Sequence, residues 1–207
     1  MEFLDIYDED GNHIGQEERG VVHKEALWHK TVHCWLFDDE GYVYFQIRKD
    51  EGTLYTTASG HIQAGETVEE GFAREIFEEI GYKLDYKQAK KLDEFKFVFD
   101  KIKKNGSVFR DRAMANIFAY QFDKDLKKLN FDANELNGLV KVKAKDALEL
   151  FKKENGQIDG FEIKFDGKTN VMSRRVVDFF DFLVNQGETA IGKYGKVLEG
   201  ILGLLKY

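Results

Sequence analysis

Residues 67–81 carry a complete helix specification inside a chain that otherwise reads mostly as strands. Val68, Phe72, Ile76 and Ile80 recur every four residues, which is a helical stripe. Thr67 followed by Glu70 is a capping-box start, and Gly81 supplies a left-handed stop. The flanking segments supply strands. Thr31 to Phe37 and Tyr42 to Ile47 are rich in β-branched and aromatic residues, with a turn at residues 38–41 between them. A short extended stretch follows at Leu54 to Thr57. Glu94 to Ile102 and Ser107 to Phe122 read as two long strands around a turn at Asn105-Gly106. Leu136 to Val142 reads as a further strand and Lys145 to Glu154 as a helix. Two short strands flank the EDGNHIG turn near the start. Past Phe161 a short strand to Phe165 precedes two expected amphipathic helices, Val171 to Val184 and Ala190 to Leu205. The last carries Ile191, Tyr194, Leu198, Ile201 and Leu205 on one face.

A chain of 207 residues suits one domain. The expected organisation is a single domain over 1–207: a core of about 25–155, an N-terminal hairpin at 1–24 and a C-terminal helical extension from about 161 to 207. The single cysteine, Cys34, excludes an internal disulfide framework and leans towards a reducing, cytoplasmic setting. The opening MEFLDIYDEDG carries acids where a secretory signal needs a basic and then an apolar segment. No apolar run approaches the ~20 residues of a membrane span, so no membrane partner is expected. The net charge of −7 argues against nucleic acid as a partner. It leaves open a small anionic substrate recruited through a bound cation. With no proline, turns rest on Gly, Asn and Asp.

On the helix, at ~100° per residue, Glu75 and Glu79 stand one turn apart on one face with Glu78 beside them. Like charges at that spacing repel. A hard divalent cation such as Mg²⁺ or Mn²⁺ removes the penalty, because carboxylate oxygens are its preferred ligands. Arg74, four residues before Glu78, can steady one carboxylate. Gly60 and Gly65 in the preceding loop permit close backbone approach. Glu66 can orient its neighbours as an outer acceptor. Each glutamate taken alone reads more readily as part of a solvated acidic face.

Taken together, GHIQAGETVEEGFAREIFEEIGY resembles the Nudix box, G-x5-E-x7-R-E-U-x-E-E-x-G-U with U a bulky apolar residue. Gly60, Glu66, Arg74, Glu75, Ile76, Glu78, Glu79 and Gly81 fall in register, and Tyr82 stands where an aliphatic residue is usual. The resemblance implies an α/β (α+β) fold: a Nudix-type α/β/α sandwich with a mixed sheet, here with the C-terminal extension. It implies a metal-dependent hydrolase cleaving a diphosphate linkage in a small nucleoside diphosphate derivative or related organic diphosphate. By position, Glu75, Glu79 and Glu78 would bind Mg²⁺ or Mn²⁺, with a backbone carbonyl at Gly60 or Ser59. Arg74 and Glu66 would hold the site in shape. The general base stays open between Glu75 and a later acid, with Glu94, Asp111 and Asp123 as candidates.

The N-terminal half resembles one branch more closely. The D-E-D-G-N turn, Val22-His23, Leu27-Trp28-His29, Gln46-Ile47-Arg48 and Ser59-Gly60-His61 look like isopentenyl-diphosphate isomerase and its hydrolase-like cousins. In the isomerase, N-terminal histidines and one beside the box bind a metal, and a cysteine before the Gly-His pair handles protons. Here Ser59 stands at that cysteine's position, and the later pair of catalytic glutamates is missing. Hydrolysis is therefore the leading reading. Isomerisation, or a non-catalytic sensor domain, is the alternative. His61, Arg48 and Ser59 are the expected substrate contacts. His23 and His29 stand open between fold residues, phosphate contacts and ligands of a second metal. Tyr44, Phe45 and Tyr55 are expected in the core or against a base. His13 and His33 carry no assigned role, and Cys34 is expected to be a buried strand residue. Two roles stand open for the C-terminal helices: covering the cleft, or presenting an apolar face for a homodimer.

Overall fold

The computed structural model describes residues 1–49, 52–102, 106, 108–122, 125–132, 134–182 and 188–205. Asp123, Asn105, the end of the expected helix at Val184 and the Ile191 side chain lie outside them. A mixed sheet is the frame. Its main path begins with β1 (Phe3–Tyr7), β2 (His13–Glu18), β3 (Trp28–Phe37) and β4 (Tyr42–Arg48), joined later by β9 (Leu136–Lys143), β10 (Gln157–Phe165) and β11 (Asn170–Asp178). The spatial order is β11-β10-β9-β4-β3-β1-β2. A second arm leaves β3: β8 (Val108–Gln121) runs parallel to it, and β7 (Lys90–Ile102) pairs antiparallel with β8.

β3 is buried on both sides because helices cover both faces of the sheet. α2 (Val68–Ile80) packs Phe72, Ile76 and Ile80 against Val32, Cys34 and Leu36. Its start and stop follow the local code: Thr67 and Glu70 exchange the two capping-box hydrogen bonds, and Gly81 closes the helix at φ 65°. On the opposite face α3 (Ala144–Lys153) and α4 (Glu188–Leu204) cover Trp35, Phe37, Phe45 and Ala115. A short helix, α1 (Arg19–Glu25), joins β2 to β3; its single buried turn gave no sequence signal.

The strand ladder opens where the site forms. β3 and β4 pair only at Phe37↔Val43 among the described residues. Beyond that point they diverge. β5 (Leu54–Tyr55) stays with β4 and β6 (Ala58–His61) joins β3. The chain crosses the gap at Thr56 and Thr57, both fully buried. Thr57 Oγ1 accepts from Leu36 N–H at 2.9 Å and donates to the Tyr44 carbonyl, while Thr56 Oγ1 donates to the Cys34 carbonyl at 2.9 Å. These side chains replace the missing ladder bonds.

One expectation fails here. Val171 to Val184 is not a helix: residues 170–178 form β11, paired residue for residue with β10, and a 3-10 turn follows at Phe179–Asp181. The expected helical extension is therefore a hairpin followed by α4. The apolar face of α4 is spent inside the chain, with Tyr194, Val197, Leu198 and Ile201 buried. No helix among the described residues is long and apolar enough to cross a membrane. Because Leu198 is fully buried in the same cluster as Trp35, Leu198→Ala is expected to cost about 2–5 kcal/mol in one cooperative denaturant transition. A separate early transition for α4 would show that it is a detachable extension.

Candidate active site

The gap between the diverging strands opens into a cleft of about 810 Å³. One wall is the end of α2 and the β6 loop. Its hub is Arg74. The guanidinium donates from Nε and Nη2 to the two Glu66 oxygens at 2.7 and 2.8 Å, and from Nη1 to Glu75 at 2.7 Å and Glu78 at 3.2 Å. Nη2 also donates to the His61 carbonyl at 2.8 Å. Glu66 in turn accepts from Gln63 N–H at 2.8 Å. The N-terminal hairpin holds the same loop: Ala64 N–H donates to the Phe3 carbonyl at 2.8 Å and Gly65 N–H to Asp5 at 3.0 Å.

Glu79 is buried and accepts from Ser59 N–H at 2.9 Å and Gln46 Nε2 at 3.3 Å. Burial pushes its pKa up to about 8; the Ser59 hydrogen bond opposes this, and the nearby Glu75 and Glu135 charges add to it. Burial raises Glu75 as well, against the pull of Arg74. The Glu75 carboxyl lies directly over Gly60, where a Cβ would collide with it. Glu78 is the exposed member, its side chain 55% accessible. The three carboxylates thus face one cleft from consecutive turns of one helix.

A second cluster sits beside this wall. One ring nitrogen from each of His23, His29 and His61 falls within 4.8 Å of the others. His23 Nδ1 bonds the Arg19 carbonyl at 2.8 Å and His29 Nδ1 the Leu27 carbonyl at 3.1 Å. Those bonds leave the Nε2 atoms as lone-pair bearers. His61 Nε2 lies 3.3 Å from His23 Nε2. His29 Nε2 lies 3.4 Å from Asp111 Oδ1, and neither atom has a hydrogen-bond partner among the described residues. Burial lowers all three histidine pKa values and raises that of Asp111.

Of the residues expected from sequence, Ser59, Gly60, His61, Arg48, Arg74, Glu75, Glu78 and Glu79 all line the cleft, and Glu66 stands behind Arg74. Arg48 lies over the Tyr55 ring at 5.5 Å. Asp111 lines the cleft, whereas Glu94 is an exposed residue paired with Lys91 outside it. Tyr44 and Phe45 belong to the two core clusters, and only Tyr55 of that group reaches the cleft. Cys34 is buried, with its thiol pKa raised by burial. His13 is a surface residue paired with Asp5.

Sequence reasoning missed Gln46, Asp132, Glu135 and His33, which also line the cleft. Gln46 was findable, since period-two alternation puts it on the same strand face as Arg48. Asp132 and Glu135 sit on an irregular loop that reads as solvated surface. His33 reads as an ordinary strand residue because strand pairing, not local pattern, exposes it to the cleft.

A family model described as NUDIX domain matches residues 27–159. The chain belongs to the Nudix family. It is 31% identical over 204 residues to an uncharacterized Nudix hydrolase of Clostridium acetobutylicum, covering 94% of this chain and 92% of that protein. It is 27% identical over 157 residues to the isopentenyl-diphosphate Delta-isomerase of Cutibacterium acnes, covering 72% of this chain and 77% of that one. The fold is similar to the crystal structure of DR0079 from Deinococcus radiodurans, with a TM-score of 0.54 at 21% identity over 73% of this chain and 89% of that one. The protein is a Nudix hydrolase, and the acidic helix of the cleft is its Nudix box.

His33 gives the cleft a pH signature. Burial holds its pKa down to about 3. The unfolded chain binds a proton at this residue below about 6.5, while the folded chain stays neutral until about 3. The stability is fully present above pH 6.5 and is lost as pH falls towards 3, at about 1.4 kcal/mol per unit. His33→Phe is expected to lose less stability than wild type between pH 7 and pH 4 in denaturant titrations. Parallel losses would show that His33 titrates normally.

Proposed function

We propose that this Nudix hydrolase cleaves a diphosphate linkage in a small nucleoside diphosphate derivative or related organic diphosphate, using Mg²⁺ or Mn²⁺. The observation that carries the reading is the convergence of Glu75, Glu78 and Glu79 on one cleft. The residues fit a hard cation on two counts. Glu79 is a buried carboxyl whose raised pKa an adjacent cation would reverse. Gly60 leaves the space in which the Glu75 carboxyl stands. Carboxylate oxygens are the donor set such ions prefer.

Glu75, Glu78 and Glu79 would hold the cation, with the Gly60 carbonyl beside them. When bound, the cation neutralises diphosphate oxygens and lowers the pKa of water. The chain's own residues do the rest. Ser59 N–H and Gln46 fix the Glu79 carboxylate, and Arg74 fixes Glu75 and Glu78 against the loop. Glu66 anchors Arg74. Glu75 faces the same cleft and would accept the proton of the attacking water. Arg48, His61 and Ser59 bind the phosphates across the cleft.

The test is a panel of nucleoside di- and triphosphates, nucleotide sugars, dinucleotides and prenyl diphosphates incubated with Mg²⁺ or Mn²⁺. Turnover of at least one member, abolished by EDTA and restored by metal, is expected. Glu79→Gln is expected to lower kcat at least about a hundredfold. A folded, metal-loaded protein inactive on the whole panel would sink the reading.

The histidine trio favours a second reading. Three neutral imidazoles beside Asp111 offer a donor set for a cation of their own. Together with the similarity to the isomerase, they support proton transfer on isopentenyl diphosphate. Ser59 argues against it, because a serine hydroxyl is a far poorer proton donor than a thiol. Deuterium entering isopentenyl diphosphate from heavy water, without phosphate release, would establish this reading; phosphate release without exchange would dismiss it.

A further inference from the structure

The sheet has three long open edges, and the chain defends two of them. β2 pairs with β1 through a register shift at Ile6/Tyr7 and carries Gln16, Glu17 and Glu18. β7 carries lysines and acids along its length and has its own shift at Lys91/Asp93. It also lies against α4, whose Lys193 donates to the Lys96 carbonyl. Bulges and charges of this kind keep edge strands from pairing with other chains. β11 has no bulge. It matches β10 residue for residue, and no other strand among the described residues pairs with it. Its two arginines are already bound within the chain, Arg174 to Asp159 and Arg175 to Glu162, each at 2.9 Å.

The backbone of this edge faces outward. Asp166 N–H donates to the Thr169 carbonyl and Phe179 N–H to the Gly156 carbonyl, both at 3.0 Å, on the register that joins β10 to β11. Antiparallel alternation then turns the backbone groups of Asn170, Met172, Arg174, Val176 and Asp178 away from β10. Apolar side chains flank this row: Val171, Met172, Val176 and, past the strand's end, Phe180 are exposed. Val171 and Met172 lie on opposite faces of the strand. Both line a cavity of about 750 Å³ that opens at the edge, together with Phe122, Leu126 and Ile163.

We propose that β11 is a dimerisation edge: two copies of this chain pair their β11 strands antiparallel about a twofold axis at Arg174. A twofold that joins two strands in one sheet keeps each face continuous, so even positions meet even positions. Centred on Arg174, the register sets Met172 against Val176 and Val171 against Val177, each twice over, and Asn170 against Asp178. Centred on Ser173 or Arg175, it would set Arg174 against Met172 or Val176 and lose both apolar pairs. The two Arg174 side chains meet at the axis as ion pairs with Asp159, not as bare charges. Continued past the strand, the same register carries Phe180 of one copy alongside Thr169 and Asn170 of the other, at the rim of its cavity. The surface holds both an apolar knob and its hole, reciprocally placed, as a self-complementary interface requires. Phe165 and Phe180 are 61% and 69% exposed, so the two rings bring roughly 250 Å² per copy. The aliphatic side chains and the nine-residue backbone edge take this towards the ~600–800 Å² per partner of a specific pair.

Sedimentation equilibrium of the full chain tests this. Wild type is expected to dimerise with a Kd of about a micromolar or tighter. Val176→Lys, which places a charge on the edge, and Phe180→Ser are each expected to weaken the dimer tenfold or more with circular dichroism unchanged, and Val176→Ile to keep it. Under mild oxidation Arg174→Cys is expected to yield a disulfide-linked dimer, because residues directly opposite lie about 5.5 Å apart between Cα atoms. Ile14→Cys, exposed on the β2 edge, should yield none, and Cys34 is buried. A wild type that stays monomeric at about 100 μM, a dimer untouched by Val176→Lys, or species that grow beyond the dimer overturns the proposal. A dimer that Val176→Lys breaks but Arg174→Cys does not cross-link overturns the twofold at Arg174.

Discussion

One guanidinium holds the acidic wall together. Arg74 is the shared donor of Glu66, Glu75, Glu78 and the His61 carbonyl, so a single planar cation links the box loop, the helix and the edge of β6. A guanidinium suits this place because it stays charged and offers several donors in fixed directions. Glu75 and Glu78 would otherwise repel from the same helix face. Fixing Glu75 also fixes its seat over Gly60, and fixing the His61 carbonyl sets where β6 delivers Ser59 and the third imidazole. The N-terminal hairpin matters for the same reason, since it ties down the loop from which Glu66 reaches Arg74.

How far the sequence could be read depended on how local each determinant was. α2 was legible from end to end because its cap, stripe and stop lie within fifteen neighbouring positions and need no partner to make sense. β3, β4, β7, β8 and β9 were legible from their β-branched and aromatic runs. β11 was not. It is an edge strand whose apolar residues point both ways, Val177 inward and Met172 and Val176 outward to solvent, so the period-two signal is erased. What makes it a strand is its pairing with β10, and that information lies in another segment.

The site divides in the same way. The box residues lie on one helix and on the strand and loop just before it, so the register of the resemblance to the Nudix box brought Gly60, Glu66, Arg74, Glu75, Glu78 and Glu79 to one place. The other side is assembled from β3, β4, β7 and β8, and no spacing within any one of them reveals it. Gln46 reaches Glu79 across 33 positions of sequence. His33 looks like its buried neighbours Val32 and Cys34 until β5 brings the Tyr55 hydroxyl to its ring.

The threonine crossing at the base of the cleft has a mechanical consequence. Among the described residues β3 and β4 pair as strands only at Phe37↔Val43, and Thr56 and Thr57 are the stitches beyond that point. The two banks of the cleft therefore belong to separate ladders, with Arg48 and Gln46 on one and Ser59, His61 and Thr31 on the other. A molecule lying across the opening would act as the absent rung between them. Occupancy would then be felt as stiffness throughout the sheet, and the cleft's width could drift between related chains without disturbing the acidic helix at its side.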